Sequence, residues 1–186
     1  MKLWNLIIAL VLTGSLTATA QSKYFTRTGK LTFHSDASLE QIEASNSQVN
    51  TIIDAATGQI QFAALMKAFE FEKALMQEHF NENYVESDKF PKSVFKGKIE
   101  NISQVDFTKD GTYPVKVSGQ LTLHGITKGI SSDGTVDIKN GIIHAKSTFN
   151  ILLTDFGIEI PKLVADKISK EVRITVNSEY KPLEKS

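Results

Sequence analysis

Between Val115 and Gly125 every second residue is apolar or small: Val115, Val117, Gly119, Leu121, Leu123 and Gly125 share one face, while Lys116, Ser118, Gln120, Thr122 and His124 share the other. A period of two is the pleat of a β-strand with one face against a core and one in water, and a helix cannot bury such a row. The pattern returns after Asn140-Gly141, a dipeptide that favours a type I′ hairpin turn because both residues tolerate positive φ. Ile143, Ala145, Ser147, Phe149, Ile151 and Leu153 then alternate with polar neighbours, so residues 135–139 and 142–154 read as a hairpin. Val172, Ile174, Val176, Ser178 and Tyr180 repeat the alternation near the end of the chain.

Shorter strand candidates cover residues 29–35, 48–54, 59–65 (after the Thr57-Gly58 turn) and 94–105. About eight strands, several of them turn-linked, are accommodated most economically by an all-β, antiparallel barrel, since closure removes exposed edges. A two-sheet sandwich is the runner-up. Two stretches break the strand rhythm. Residues 72–86 carry Met76, Phe80 and Tyr84 every four positions beside Leu75 and His79, which predicts a short amphipathic helix. Residues 162–170, after Pro161, predict one or two helical turns.

The first 20 residues set the expected compartment. Lys2 precedes the apolar run from Leu3 to Leu12, and Ala18-Thr19-Ala20 precedes Gln21, the pattern of a cleavable signal peptide cut after Ala20. The run is shorter than the roughly 20 residues a spanning helix needs. The expected mature chain is one domain, residues 21–186, periplasmic or secreted. With no cysteine, it must draw its stability from a hydrophobic core rather than from disulfides. Basic and acidic residues balance at 21 each, which leaves no electrostatic footprint for nucleic acid.

The segment YPVKVSGQLTLHGITKGI, Tyr113 to Ile130, resembles the strand motif of the YceI-like family. The run Ser87-Asp88-Lys89-Phe90-Pro91-Lys92-Ser93-Val94-Phe95 and the tripeptide Asp155-Phe156-Gly157 are similar to further family segments. The resemblance implies a lipocalin-like antiparallel β-barrel of about eight strands with one or two short helices. It also implies a secreted or periplasmic bacterial protein of a kind that binds polyisoprenoids and other amphiphiles. One element departs from the family pattern: where members carry an Arg-Asp-x-His-Leu-like stretch, this chain reads ALMQEHFNENY from Ala74 to Tyr84, with His79 in the related place.

The expected ligand is therefore a long hydrophobic or amphiphilic molecule such as a polyisoprenoid, a quinone or a fatty-acid-like lipid. The alternative is an interaction or adhesion module with a packed interior. An eight-stranded barrel is just wide enough either to fill itself with side chains or to hold one ligand, and alternation does not separate the two. The candidate ligand contacts are the large residues on the inward faces and along the helix. They are Ile60, Phe62, Phe69, Phe71, Leu75, Met76, His79, Phe80, Val117, Leu121, Leu123, Phe149, Ile151 and Phe156. The helix is expected to cover one mouth, turning Met76, Phe80 and Tyr84 to the cavity and Gln77, Glu78, Asn81 and Glu82 to water.

Catalysis is not expected. There is no Gly-x-Ser-x-Gly elbow, and Asp155-Phe156-Gly157 lacks the surroundings of a kinase and reads as a turn ending a strand. The four histidines His34, His79, His124 and His144 stand singly, without a zinc spacing, so neither metal nor cofactor is expected. His124 and His144 fall on outward faces and are expected in solvent. The oligomeric state stays open, a homodimer being one option.

Overall fold

The computed structural model describes residues 23–183, and the expected signal peptide and its cleavage point lie outside them. Nine strands follow in chain order: β1 (Lys23–Asp36), β2 (Gln41–Asp54), β3 (Gln59–Leu65), β4 (Glu70–Phe71), β5 (Lys92–Ile99), β6 (Gly111–Leu123), β7 (Ile126–Lys139), β8 (Ile142–Leu152) and β9 (Glu171–Pro182). All pairings are antiparallel. Leaving aside the two-residue β4, each strand pairs with the next in sequence, and β9 returns to β1, which also pairs with β2. The ring is therefore a closed eight-stranded barrel, as expected, and not a sandwich.

Turn chemistry sets the registers. Asn140 and Gly141 take φ of 51° and 76°, the type I′ geometry expected of that pair. A second such turn went unanticipated. His124 and Gly125 take φ of 51° and 74°, so β6 stops at Leu123 and β7 starts at Ile126. Gly125 is thus a turn residue rather than the inward-facing small residue the alternation suggested. At the other end of the barrel, Asp54 accepts from the Gly58 amide at 2.7 Å through its carbonyl and from the Ala56 amide at 3.0 Å through Oδ1, closing the β2–β3 turn.

Several boundaries differ from the sequence reading. β1 and β2 begin at Lys23 and Gln41, well before residues 29 and 48, because their alternation is interrupted: β1 shifts register around Gly29. The 94–105 candidate ends at Ile99. Residues 102–104 form a helical turn, and Val105 and Phe107 plug the lower end of the barrel, with Phe107 stacked on Tyr24 at 5.5 Å. β8 ends at Leu152 and passes into a tight turn, Leu153–Phe156, that closes on Gly157 at φ 66°.

Helix is confined as expected but shorter. The α-helix α1 spans only Ala74–His79 and widens into a single π turn, Phe80–Tyr84. Lys162–Val164 form a short helical turn after Pro161. Both segments sit at the upper end of the barrel, where β1, β3, β6 and β8 finish.

Candidate functional site

The barrel interior is filled below and open above. At the lower end Ile53, Ile99, Val136, Ile138, Ile143 and Tyr180 are buried together. Tyr180 is 2% exposed and shares a 2.9 Å hydrogen bond with Thr51; burial raises its hydroxyl pKa. Above this floor lies a cavity of about 570 Å³. That volume falls inside the usual 300–1,000 Å³ of small-molecule sites.

Its walls are the inward rows of the strands. Ile60 and Phe62 come from β3, Val117, Leu121 and Leu123 from β6, Ala145, Phe149 and Ile151 from β8, and Ile174 and Val176 from β9. Glycines shape the wall between β5 and β6. Gly97 on β5 pairs with Gly119 on β6, and the Phe95 ring lies across both; a Cβ at Gly97 would stand 2.4 Å from Phe95 Cζ. Side chains at these two positions would push that ring into the cavity.

The upper end carries the aromatic and polar groups. Phe33, Phe69, Phe71 and Phe80 form a cluster in which Phe80 touches the other three at centroid distances of 5.0 to 5.6 Å. Each such contact adds about 0.5–1.5 kcal/mol beyond burial. Leu75, Met76, His79 and Tyr84 line the cavity beside them, with Val164 and Ile168 opposite. Glu40, Lys73 and Lys167 reach the same end, and Lys73 Nζ stands 3.1 Å from Glu40 Oε1.

Thirteen of the fourteen candidate contacts line this one cavity. Phe156 does not. It is 1% exposed and packs in the upper core behind the wall, because the chain has already left β8 and turned outward where it stands. On the helix, Gln77 departs from the expected solvent face: it is half-buried, and its Oε1 accepts from the Phe71 amide at 3.4 Å. Asn81 is also half-buried, donating to the Gln77 carbonyl at 2.8 Å. Among the described residues no group of three metal-ligating side chains occurs, and no helix is long and apolar enough to cross a membrane.

The YceI-like domain model matches residues 11–180, most of the chain. The chain belongs to the YceI-like family. No curated protein matches the sequence. Solved structures share the fold at low identity. A polyisoprenoid binding domain from Saccharophagus degradans is 16% identical, with 88% of this chain and 99% of that one covered, at a TM-score of 0.76. BcnA of Burkholderia cenocepacia is 15% identical, with 82% and 96% covered, at a TM-score of 0.67. The YCEI protein of Campylobacter jejuni is 16% identical, with both chains fully covered, at a TM-score of 0.55.

In this YceI-like barrel His124 corrects the sequence reading most sharply. Its side chain is 14% exposed, not solvated. Nε2 lies 2.8 Å from Glu86 Oε2, Nδ1 lies 3.0 Å from the Phe156 carbonyl, and the ring meets Phe90 edge-on at 4.8 Å. One imidazole thus ties the β3–β5 connection, the β6–β7 turn and the β8–β9 connection together. The alternation placed His124 on the outer face, but a turn residue at positive φ follows neither face. The His-Gly dipeptide was the available signal, since His is enriched among non-glycine residues at positive φ. His144 is on the outer face as expected, 3.9 Å from Glu179.

Proposed function

We propose that this YceI-like barrel binds and carries a long hydrophobic or amphiphilic molecule of the polyisoprenoid, quinone or fatty-acid-like kind, outside the cytoplasm, and that it acts by sequestration rather than catalysis. The observation that carries the reading is the cavity of about 570 Å³ walled by the inward aliphatic and aromatic rows. The description of a structural neighbour as a polyisoprenoid binding domain supports it, and the signal-peptide pattern of residues 1–20 supports the location. The open interior weighs against the packed barrel of the adhesion alternative.

Magnitudes favour a long ligand. Ten buried methylenes at about 0.8 kcal/mol each give roughly 8 kcal/mol before association costs, and micromolar affinity needs about that much net. A chain of several isoprene units exceeds it. Organic extraction of protein purified from its native host, followed by mass spectrometry, tests the reading. A defined lipid recovered at near one per chain is expected. Empty protein that also takes up no fluorescent lipid would refute it.

A further inference from the structure

The barrel ring is closed, but one seam in it is only half laddered. β7 pairs with β8 over residues 134–139 alone, against residues 142–147. Above that, residues 126–133 of β7 pair only with β6, and residues 148–152 of β8 pair only with β9. Two other ladders are as short, and both are bridged: beyond the β5–β6 ladder of residues 94–99 and 117–122 the Glu100 amide donates to the Lys116 carbonyl at 2.8 Å, and beside β2–β3 the short β4 pairs with Ala44 and Ser45 while Asn46 Nδ2 donates to the Leu65 carbonyl at 3.0 Å. Between β7 and β8 the side-chain bridges among the described residues cluster at the base of the gap, Ser132 Oγ donating to the Thr148 carbonyl at 3.5 Å among them.

The gap is a window with a sill and a lintel. At its base the Ser132 and Ser147 hydroxyls meet at 2.6 Å, and Ser147 also donates to the Asp133 carbonyl at 2.9 Å. At its top His124 Nδ1 meets the Phe156 carbonyl, and Ile126 packs against Gly157. Between them Ile130 on one bank and Phe149 and Ile151 on the other line the cavity. The rim is exposed and polar: Gly129 and Ser131 stand on the outer row of β7 and Thr148 and Asn150 on that of β8, while Lys128, on the row of Ile130 and opposite Leu121, is exposed as well. A lysine on a free edge discourages pairing with a second chain.

We propose that the long apolar ligand passes sideways through this seam, with Ile130 and Phe149 as the side chains that part to admit it. The inference rests on the carrier reading above. Its physical basis is the cost of the two routes. Swinging α1 and the π turn that follows it away from the upper end would separate Phe80 from three aromatic partners at once. Parting the upper halves of β7 and β8 breaks no ladder hydrogen bond, because none joins them; what must give as the seam widens is the side-chain cluster at the sill, where Ser132 meets Ser147 and the Thr148 carbonyl and Ser147 the Asp133 carbonyl. A side opening also lets an extended chain leave broadside, without threading its whole length past the helix.

The experiment uses all-trans-retinol, a fluorescent isoprenoid alcohol, in stopped-flow mixing with the mature chain. The chain has no cysteine, so Ser132→Cys with Ser147→Cys forms a clamp across the sill that is compared in its oxidised and reduced states within one folded protein. Oxidation is expected to slow uptake and release together by about tenfold, with far less change in their ratio, as for a gated step. Reduction restores both. Ile130→Trp, which crowds the seam without any cross-link, is expected to slow both rates, and Ile130→Ala to speed them. Rates that do not differ between the oxidised and reduced clamp, and do not respond at Ile130, overturn the side route while leaving the carrier reading standing. Failure of the unmodified protein to take up retinol or any other fluorescent lipid overturns the carrier reading, and the route with it.

Discussion

His124 Nε2 stands 2.8 Å from Glu86 Oε2, and each of the two residues holds a positive φ, 51° for His124 and 44° for Glu86. The hydrogen bond from His124 is the main reason the Glu86 carboxyl titrates below its ordinary value, with Lys89 assisting. A carboxyl depressed in the folded state adds stability above its unfolded pKa and loses that contribution as pH falls through the folded one. The stability advantage of the wild type over Glu86→Gln is therefore expected to shrink in the acid range below the ordinary glutamate pKa, read from urea midpoints against pH. The effect should be small, since Glu86 is 41% exposed. An advantage that grew on acidification would refute the assignment. His124→Ala, which also frees the Phe156 carbonyl and the Phe90 face, should cost about 1–2 kcal/mol near neutral pH.

Leu123 and Thr122 are neighbours on opposite faces of β6. Leu123 lines the cavity, whereas Thr122 shares a 2.8 Å hydrogen bond with Thr127 across the β6–β7 ladder. Leu123→Arg would place a charge among apolar walls and is expected to abolish folding or lipid uptake. Thr122→Arg is expected to cost about 0.5 kcal/mol or less, the usual range for surface changes. Circular dichroism melts of the two proteins check this, and equal tolerance at both positions would mean the register is wrong.

Gly119 has no room for a side chain. A Cβ there would lie 2.5 Å from the Gly97 Cα and the Lys96 carbonyl, and 2.7 Å from Phe95 Cζ. The first two obstacles are backbone and cannot rotate away. Gly119→Val is expected to break the β5–β6 ladder, lowering the yield of folded protein and the protection of the Lys98 amide in hydrogen exchange. A variant that melts like the wild type would show that the two strands can separate freely there.

Phe80 is the hub of the upper aromatic cluster. Phe80→Ala is expected to destabilise by about 3 kcal/mol, at the lower end for a phenylalanine truncation because the residue is only half-buried. Met76→Ala, on the exposed helix with no such cluster, should cost clearly less. Denaturant midpoints at constant m distinguish the two, and a near-neutral Phe80→Ala would mean that the helix rests loosely on the barrel.

The period-two rows of β6, β8 and β9 were enough to predict the barrel, because alternation is dictated by the pleat of a single strand. Asn140-Gly141 and Thr57-Gly58 announced their turns for an equally local reason: their residues tolerate the backbone angles a tight turn demands. The same logic named Leu121, Leu123 and Phe149 as residues that wall the cavity. It failed where the outcome depends on distant segments. His124 looked like an outward strand residue until Glu86 and Phe156, 38 residues before it and 32 after, were brought to its two nitrogens. Phe156 looked like a wall residue until the chain turned away at Leu153. Alternation also says which face of a strand is apolar, not how far off the opposite wall stands, so only the closed ring decided that the lower end packs around Ile138, Ile143 and Tyr180 while the space above them stays open. The half-laddered seam between β7 and β8 belongs to the same class: each strand carries a sound pattern of its own, and the gap comes from how the barrel splays them apart.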